Sequence, residues 1–456
     1  MYRKQDLQYL QDIFDRNSND IAILYGSVDN DVSGVIADFA ADKECLYYLA
    51  CAVSEKTQIE MFSAQIHDQT KSTIFTSNDY GKLLSSFIGD NPDRKKLIVF
   101  DEFKYLVKEN PTFLNFLSSL LFSGVKPGSV MVLLSCTDVC WIERDMIKLI
   151  GRKSSEISGI CKLKDYTPTE FAQNFSDMPL SESVLIYSAI GGKSRYYDQI
   201  SADTTFKDFI ISRLNIWADA DCDLNAYLPA EVREPTVYNT ILTYIAGGTN
   251  KLNDLHNKMD IDRAKLSVYL KTLMENGIVR KAVSAEVGNM SNTVKGMYLI
   301  CDREVLFYYR FVFPNYSALR LHGAERFYRR YIEKNMSEHM EDAYPMFCIE
   351  QVRWLESEGR LSFKVASIEE YYDKNKAIDF VIVAAGGSVI ACKCRYSGPH
   401  MSFRTYEDVK TAVRRNKIIS DNIWLFSVMG FDQKLTMTGS VTPGLSLIEG
   451  LDQRLR

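Results

Sequence analysis

The chain has 456 residues, is 46% hydrophobic and 25% charged, and carries a formal net charge of -5. That length holds two or three domains, and the acidic balance excludes a surface that is basic throughout while leaving room for a local basic patch. No run of about 18 apolar residues occurs, so a helical membrane span is not expected. The polar opening, Met1-Tyr2-Arg3-Lys4-Gln5-Asp6, predicts no secretory signal and a cytoplasmic location.

Residues 1–18 have the period of an amphipathic helix, with Leu7, Leu10 and Ile13 on one face. An apolar strand, Ile21-Ala22-Ile23-Leu24-Tyr25, follows, and then a helix with Val35, Ile36 and Phe39 that ends near Lys43. Residues 46–50, 96–100 and 129–134 are further apolar runs, the last two suited to buried parallel strands, with a helical pattern from Pro111 to Leu121 between them. This alternation predicts a three-layer α/β domain. From 167 to 232 the pattern is helical, interrupted by Gly191-Gly192-Lys193-Ser194-Arg195-Tyr196. Residues 237–246, 251–258 and 263–276 read as three short helices, followed by strands at 277–283 and 297–300, which is the order of a winged helix. An aromatic and basic segment over 303–335 leads to a helix near 336–357, strands at 377–383 and 388–394, a helix at 405–418 and a strand at 423–428.

The junction after the first strand has the frame of a phosphate-binding loop, G-x-x-x-x-G-K-[S/T], with its chemistry changed. Gly26 and Ser33 hold the first and last positions, but Asp31 stands at the second Gly and Val32 at the Lys. The Lys neutralises the β- and γ-phosphates, and the Gly lets backbone amides turn toward them. A carboxylate there repels a polyphosphate. Further on, Leu97-Ile98-Val99-Phe100 runs into Asp101-Glu102, the pattern in which the Asp helps hold Mg²⁺ and the Glu orients the attacking water. Acidic residues at a strand end also serve as helix caps, so the order of motifs carries more than this one alone. Ser135, ending the next strand, suits a position that reads the γ-phosphate.

In four places, in order, the chain resembles the archaeal and bacterial AAA+/STAND-type P-loop ATPases that carry a winged helix and a C-terminal nuclease-like domain. Arg3-Lys4-Gln5-Asp6-Leu7 resembles R-E-x-E-L, and Asp101-Glu102-Phe103-Lys104-Tyr105-Leu106 resembles D-E-F-x-Y-L. Gly191-Gly192-Lys193-Ser194-Arg195-Tyr196 resembles G-G-x-P-x-Y, with Ser194 in place of Pro, and Arg310-Phe311-Val312-Phe313-Pro314-Asn315 resembles the segment after the winged helix. The resemblance implies a P-loop ATPase-like domain over 1–165, a helical lid over 166–232, a winged helix over 233–302, a connecting helical segment over 303–335 and a restriction-endonuclease-like α/β domain over 336–456. It implies a nucleotide site at Gly26, Asp31, Val32, Ser33, Ser135, Gly192 and Arg195, with Asp101 and Glu102 as vestigial catalytic acids. ATP and Mg²⁺ are the ligands such a family implies, and the altered loop argues against both, so no cofactor is expected.

The last domain repeats the pattern. A PD-(D/E)xK nuclease holds its metal through an Asp on one strand and E-x-K on the next. Asp379 is in place, or is an ordinary strand-edge residue, while the second strand offers Lys393-Cys394-Arg395, a cation where a metal-binding Glu is wanted. Arg395 cannot act as a base, because its guanidinium stays protonated. The ten Cys have no paired zinc spacing and no metal site is expected. The third helix of the winged helix is expected to offer Arg263, Lys265, Ser267, Tyr269 and Lys271 to a groove or backbone of DNA, and Lys393 and Arg395 a second phosphate-gripping face, although winged helices also act as lids and protein contacts. The expectation is a pseudo-ATPase and pseudo-nuclease that binds nucleic acid or a protein partner. The alternatives are an NTPase in which Lys193 or Arg195 replaces the loop Lys, and a protein-only or self-associating scaffold.

Overall fold

The computed structural model describes residues 3–70, 79–89, 94–146, 148, 155–219, 223, 225–228, 232–288, 296–373 and 375–437. Of the expected segments, 289–295 and 438–456 lie outside the described residues. The chain divides into two compact units, Met1–Asp165 with Lys193–Arg195, and Tyr166–Gly192 with Tyr196–Arg456.

The first unit is built on a parallel sheet of β1 (Asp20–Tyr25), β2 (Cys45–Leu49), β3 (Lys96–Asp101), β4 (Val130–Cys136) and β5 (Gly159–Lys162), in the order β2-β3-β4-β1-β5. Every residue of β1, β3 and β4 is buried, which is why these strands read as unbroken apolar runs. Their side chains alternate between two cores. Ile21, Ile23, Ile98, Phe100, Val132 and Leu134 join one face. Ala22, Leu24, Leu97, Val99, Met131 and Leu133 join the other, under Leu10 and Ile13 of α1 (Lys4–Phe14) and Val35, Ile36 and Phe39 of α2 (Val32–Ala40). Parallel pairing of Tyr25 with Cys136 and of Phe100 with Leu134 brings the ends of β1, β3 and β4 to one edge, where ligands bind in sheets of this kind.

The second unit starts with helices Pro168–Asn174, Leu180–Ile190 and Phe206–Trp217. Helices Pro235–Ala246, Leu252–Met259 and Arg263–Glu275 come next, followed by an antiparallel hairpin of β6 (Val279–Ala282) and β7 (Met297–Ile300). Its last part is a sheet of β8 (Val365–Glu370), β9 (Phe380–Ala384), β10 (Val389–Arg395) and β11 (Ser420–Ser427), ordered β11-β10-β9-β8, antiparallel except for β10 with β11. One face of this sheet, with Phe380, Ile382, Ile390 and Cys392, shares a core with Met340, Tyr344, Phe347 and Cys348 of the long helix Met336–Ser357. The other face, with Val381, Ala391 and Leu425, packs on Val409, Ala412 and Val413 of the helix Phe403–Arg415. Two edge strands, β5 and β8, were not expected from the sequence. Both are half exposed, so neither carries an unbroken apolar run.

Candidate functional site

The first-unit site lies where β1, β3 and β4 end. Beyond Gly26 the chain makes a tight turn over Val28–Asn30. Asn30 Oδ1 accepts from the Ser27 amide at 2.8 Å, and the Asn30 side-chain amide donates to Asp165 at 2.7 Å. Asp31 follows at φ 53°, the left-handed region that a Gly occupies at far lower cost. Its carboxylate caps α2, accepting from the Gly34 amide at 3.1 Å. A Cβ at position 34 would lie 2.2 Å from Asp31 Oδ2, so this cap depends on glycine there. Val32, at the position of the phosphate-binding Lys, is 2% exposed and packs in the core under α1, while Ser33 is exposed.

Two cations do reach this loop, from far along the chain. Lys193 Nζ sits 2.8 Å from Asp29 Oδ2 with its side chain only 3% exposed, and an Arg195 guanidinium nitrogen lies 2.6 Å from Asp29 Oδ1. Between them, Ser194 Oγ donates to the Asp29 carbonyl at 3.3 Å. Gly192, at the edge of the second unit, accepts from the Tyr166 amide through its carbonyl at 2.9 Å. The loop therefore holds two internal carboxylates: Asp31 on the Gly34 amide of the helix and Asp29 on the Lys-Arg pair. The donors they occupy, a helix amide, an ammonium and a guanidinium, are of the kinds that a polyphosphate uses.

The acids at the end of β3 are also committed to protein donors. Asp101 accepts from Tyr47 Oη at 2.7 Å, Ser135 Oγ at 2.7 Å and the Glu102 amide at 3.0 Å. Burial raises the Tyr47 pKa, reinforced by Asp101, so this phenol remains a donor. Glu102 lies at φ 50° and accepts from the Thr137 amide at 3.0 Å and from the Thr137 hydroxyl, with Lys104 Nζ 3.4 Å away. Burial opposes the Lys104 charge, but Glu102, Cys136 and Asp138 outweigh it and raise its pKa. Glu102 is thus held by β4's end rather than aimed at open space. An ATP·Mg²⁺ group does not fit this set: the Lys position is a core valine, a carboxylate caps the helix, and Asp101 already accepts three donors.

In the second unit, Asp379 immediately precedes β9 and Lys393 lies on β10. Lys393 Nζ is 2.9 Å from Asp379 Oδ1 and donates to the Lys376 carbonyl at 3.0 Å, and the Cys394 amide donates to Asp379 Oδ2 at 2.6 Å. Burial raises the Asp379 pKa, with Lys393 partly offsetting it. Glu341 accepts from the Tyr396 and Ser397 amides at 3.2 and 2.7 Å, and an Arg395 guanidinium nitrogen donates to Thr405 Oγ1 at 3.3 Å. Among the described residues no group of three His, Cys, Asp or Glu is placed to hold a metal ion. On the helix Arg263–Glu275, the side chains of Leu266, Tyr269, Leu270 and Leu273 are buried. Arg263, Lys265 and Lys271 are exposed, with Lys265 near Glu234 at 3.6 Å and Lys271 near Glu275 at 3.7 Å.

Sequence reasoning grouped Asp101, Glu102 and Ser135, and offered Lys193 or Arg195 at the loop only under the alternative of an NTPase with a replaced Lys. It missed Asp29 as their partner, Tyr47 and Thr137 as donors to the acids, and Lys104. The one available signal was the doubling of acids at Asp29 and Asp31 in a loop that ordinarily avoids them.

Residues 308–409 match the family described as archaea bacterial proteins of unknown function, DUF234. An uncharacterised protein of Methanocaldococcus jannaschii, MJECL04, is 23% identical over 388 residues, 83% of each chain. The Walker-type ATPase PABY2304 of Pyrococcus abyssi aligns with a TM-score of 0.47 at 14% identity, over 68% of this chain and 95% of its own. The ORC2 protein of Aeropyrum pernix, in its ADPNP-ADP complexes, aligns with a TM-score of 0.41 at 13% identity, over 70% of this chain and 95% of its own. Among the described residues no helix is long and apolar enough to cross a membrane. The chain combines an α/β unit built on the parallel β2-β3-β4-β1-β5 sheet with a segment of its second unit, residues 308–409, that matches the DUF234 family.

Proposed function

We propose that this protein is a non-hydrolysing member of the P-loop ATPase fold, whose nucleotide site is filled by its own side chains and which serves as a DNA-binding component. The observation that carries the first part is the pairing of Lys193 and Arg195 with Asp29, together with Asp31 on the Gly34 amide of α2. A nucleotide would have to displace one buried ion pair and one helix cap before meeting its first donor, and it would still lack the loop Lys, a charge-assisted contact worth about 1.5–3 kcal/mol. The DNA-binding part is supported by three helices and a hairpin in winged-helix order, with Arg263, Lys265, Ser267 and Lys271 exposed on the third helix. In the nuclease-like domain, the Lys393 ammonium on Asp379 supplies the positive charge that a divalent ion would bring, and this speaks against cleavage.

A second reading has one observation in its favour. Lys193 and Arg195 lie at the loop, where they could serve a nucleotide in place of the missing Lys, and the Asp29 carboxylate between them stands against it. Titration calorimetry with ATP and Mg²⁺ separates the two. The self-filled site gives no heat at millimolar ATP, and a micromolar dissociation constant refutes it.

A further inference from the structure

The hairpin that follows the third helix is stitched to the last sheet. An Arg280 guanidinium nitrogen on β6 reaches both carboxylate oxygens of Glu370 on β8, at 2.6 and 2.7 Å. Just beyond, the Ala285 amide donates to the Glu370 carbonyl at 2.9 Å, and the Tyr372 amide donates to Ser284 Oγ at 3.0 Å. Ala285 is 3% exposed and shares a core with Tyr371 and Ile378. Gly288, at φ 73°, runs so close to the turn after the helix Phe403–Arg415 that a Cβ would lie 2.3 Å from the Asn416 carbonyl. The chain leaving β6 toward the hairpin loop is therefore packed directly against this turn.

That turn is basic. Arg414 and Lys417 are exposed, and no carboxylate pairs with either among the described residues, whereas Arg415 approaches Asp373 at 3.5 Å. Lys417 sits at φ 54°, its amide bonded to the Arg414 carbonyl at 3.1 Å, so the backbone fixes where both side chains leave the surface. Of the nearby hairpin residues, Lys281 adds a positive charge and Glu286 a negative one, both exposed. A helix C-terminus favours cations electrostatically, but Lys417 lies beyond the helix and gains little from its dipole.

We propose that Arg414 and Lys417 form a second phosphate-contacting element, so that the last domain extends the footprint of duplex DNA held by the helix Arg263–Glu275. This rests on the DNA-binding reading above. The partner follows from charge complementarity: two cations without acidic partners, on a turn anchored against the hairpin of a DNA-binding module, match a run of backbone phosphates. Contacts of this kind carry no base specificity.

The test is fluorescence anisotropy of labelled duplexes of several sequences across a salt series, on the full chain. The double variant Arg414→Gln/Lys417→Asn keeps a residue type tolerant of the left-handed region at 417. It is expected to weaken binding to every duplex alike, by roughly tenfold or more, and to flatten the log K against log[salt] slope by about 1.8, or about 0.9 per lost phosphate contact. An unchanged slope and affinity in this variant, while Arg263→Gln/Lys271→Gln weakens binding, overturns the extended footprint and leaves the DNA-binding reading standing. Absence of binding by the unaltered chain at low salt overturns both.

Discussion

Replacing Asp29 by Ala removes an acceptor shared by two cations, and the cost follows from their burial. Lys193 is 3% exposed, so the change takes one counter-charge away from a buried ammonium. Breaking such a pair costs about 3–5 kcal/mol. Asp29 itself is 20% exposed, which places the effect at about 3, the lower end of that range. Arg195 is 35% exposed, and its share, screened by water, adds no more than about 1 kcal/mol. With a urea m-value of about 3 kcal/mol/M, the midpoint of the first unit's transition falls by about 1 M. Circular dichroism across a urea series reads this directly. The companion variant Lys193→Met removes the charge that Asp29 neutralises, so the double variant Asp29→Ala/Lys193→Met is expected to recover about 2 kcal/mol relative to additivity. A midpoint within about 0.2 M of the unaltered chain for Asp29→Ala, or strict additivity in the double variant, refutes the view that this pair holds the loop.

Asp31→Gly trades a helix cap for relief of an unfavourable φ. Exchanging a capping Asp for Gly costs a few tenths of a kcal/mol and the left-handed strain is about 1, so thermal denaturation should show stability unchanged or slightly raised. Gly34→Ala, by contrast, drives the Asp31 carboxylate off its cap and should destabilise by about 1 kcal/mol in the same measurement. Gly288→Ala introduces both a left-handed Ala and a clash with the Asn416 carbonyl, and should lower the second unit's melting temperature, at a cost of about 1–3 kcal/mol. His339 gives a pH signature. It is fully buried, donates through Nε2 to the Ser188 carbonyl at 3.0 Å and lies beside Arg303 and Arg310, with Asp342 salt-bridged to Arg310. Burial first, then the two guanidiniums, hold its pKa well below 6.5. A base whose folded pKa is depressed contributes stability that is complete above the unfolded pKa and is lost as pH falls. Denaturation between pH 7 and 5.5 should therefore show stability declining below about 6.5, approaching 1.4 kcal/mol per pH unit, and His339→Gln should remove that component.

The sequence by itself determined the elements whose information is local. β1, β3 and β4 are buried on both faces, so each is an unbroken apolar run that needs no partner to be recognised. Asp101 and Glu102 follow such a run directly, which made the acids at the sheet's edge legible. The order of three helices and a hairpin was likewise readable from period and spacing. The edge strands β5 and β8 were not, because a half-exposed strand with charges on it resembles a loop. Only the tertiary structure decided what each polar group does. Tyr47 reaches Asp101 because β2 is laid beside β3, and Thr137 reaches Glu102 because β4 lies on the other side. The same holds for Asp29 and Lys193, adjacent only once the chain has returned to the loop. Burial leaves a one-dimensional trace in hydrophobic pattern. The choice of counter-charge leaves none, since a charge will pair with whichever opposite charge the topology brings within reach.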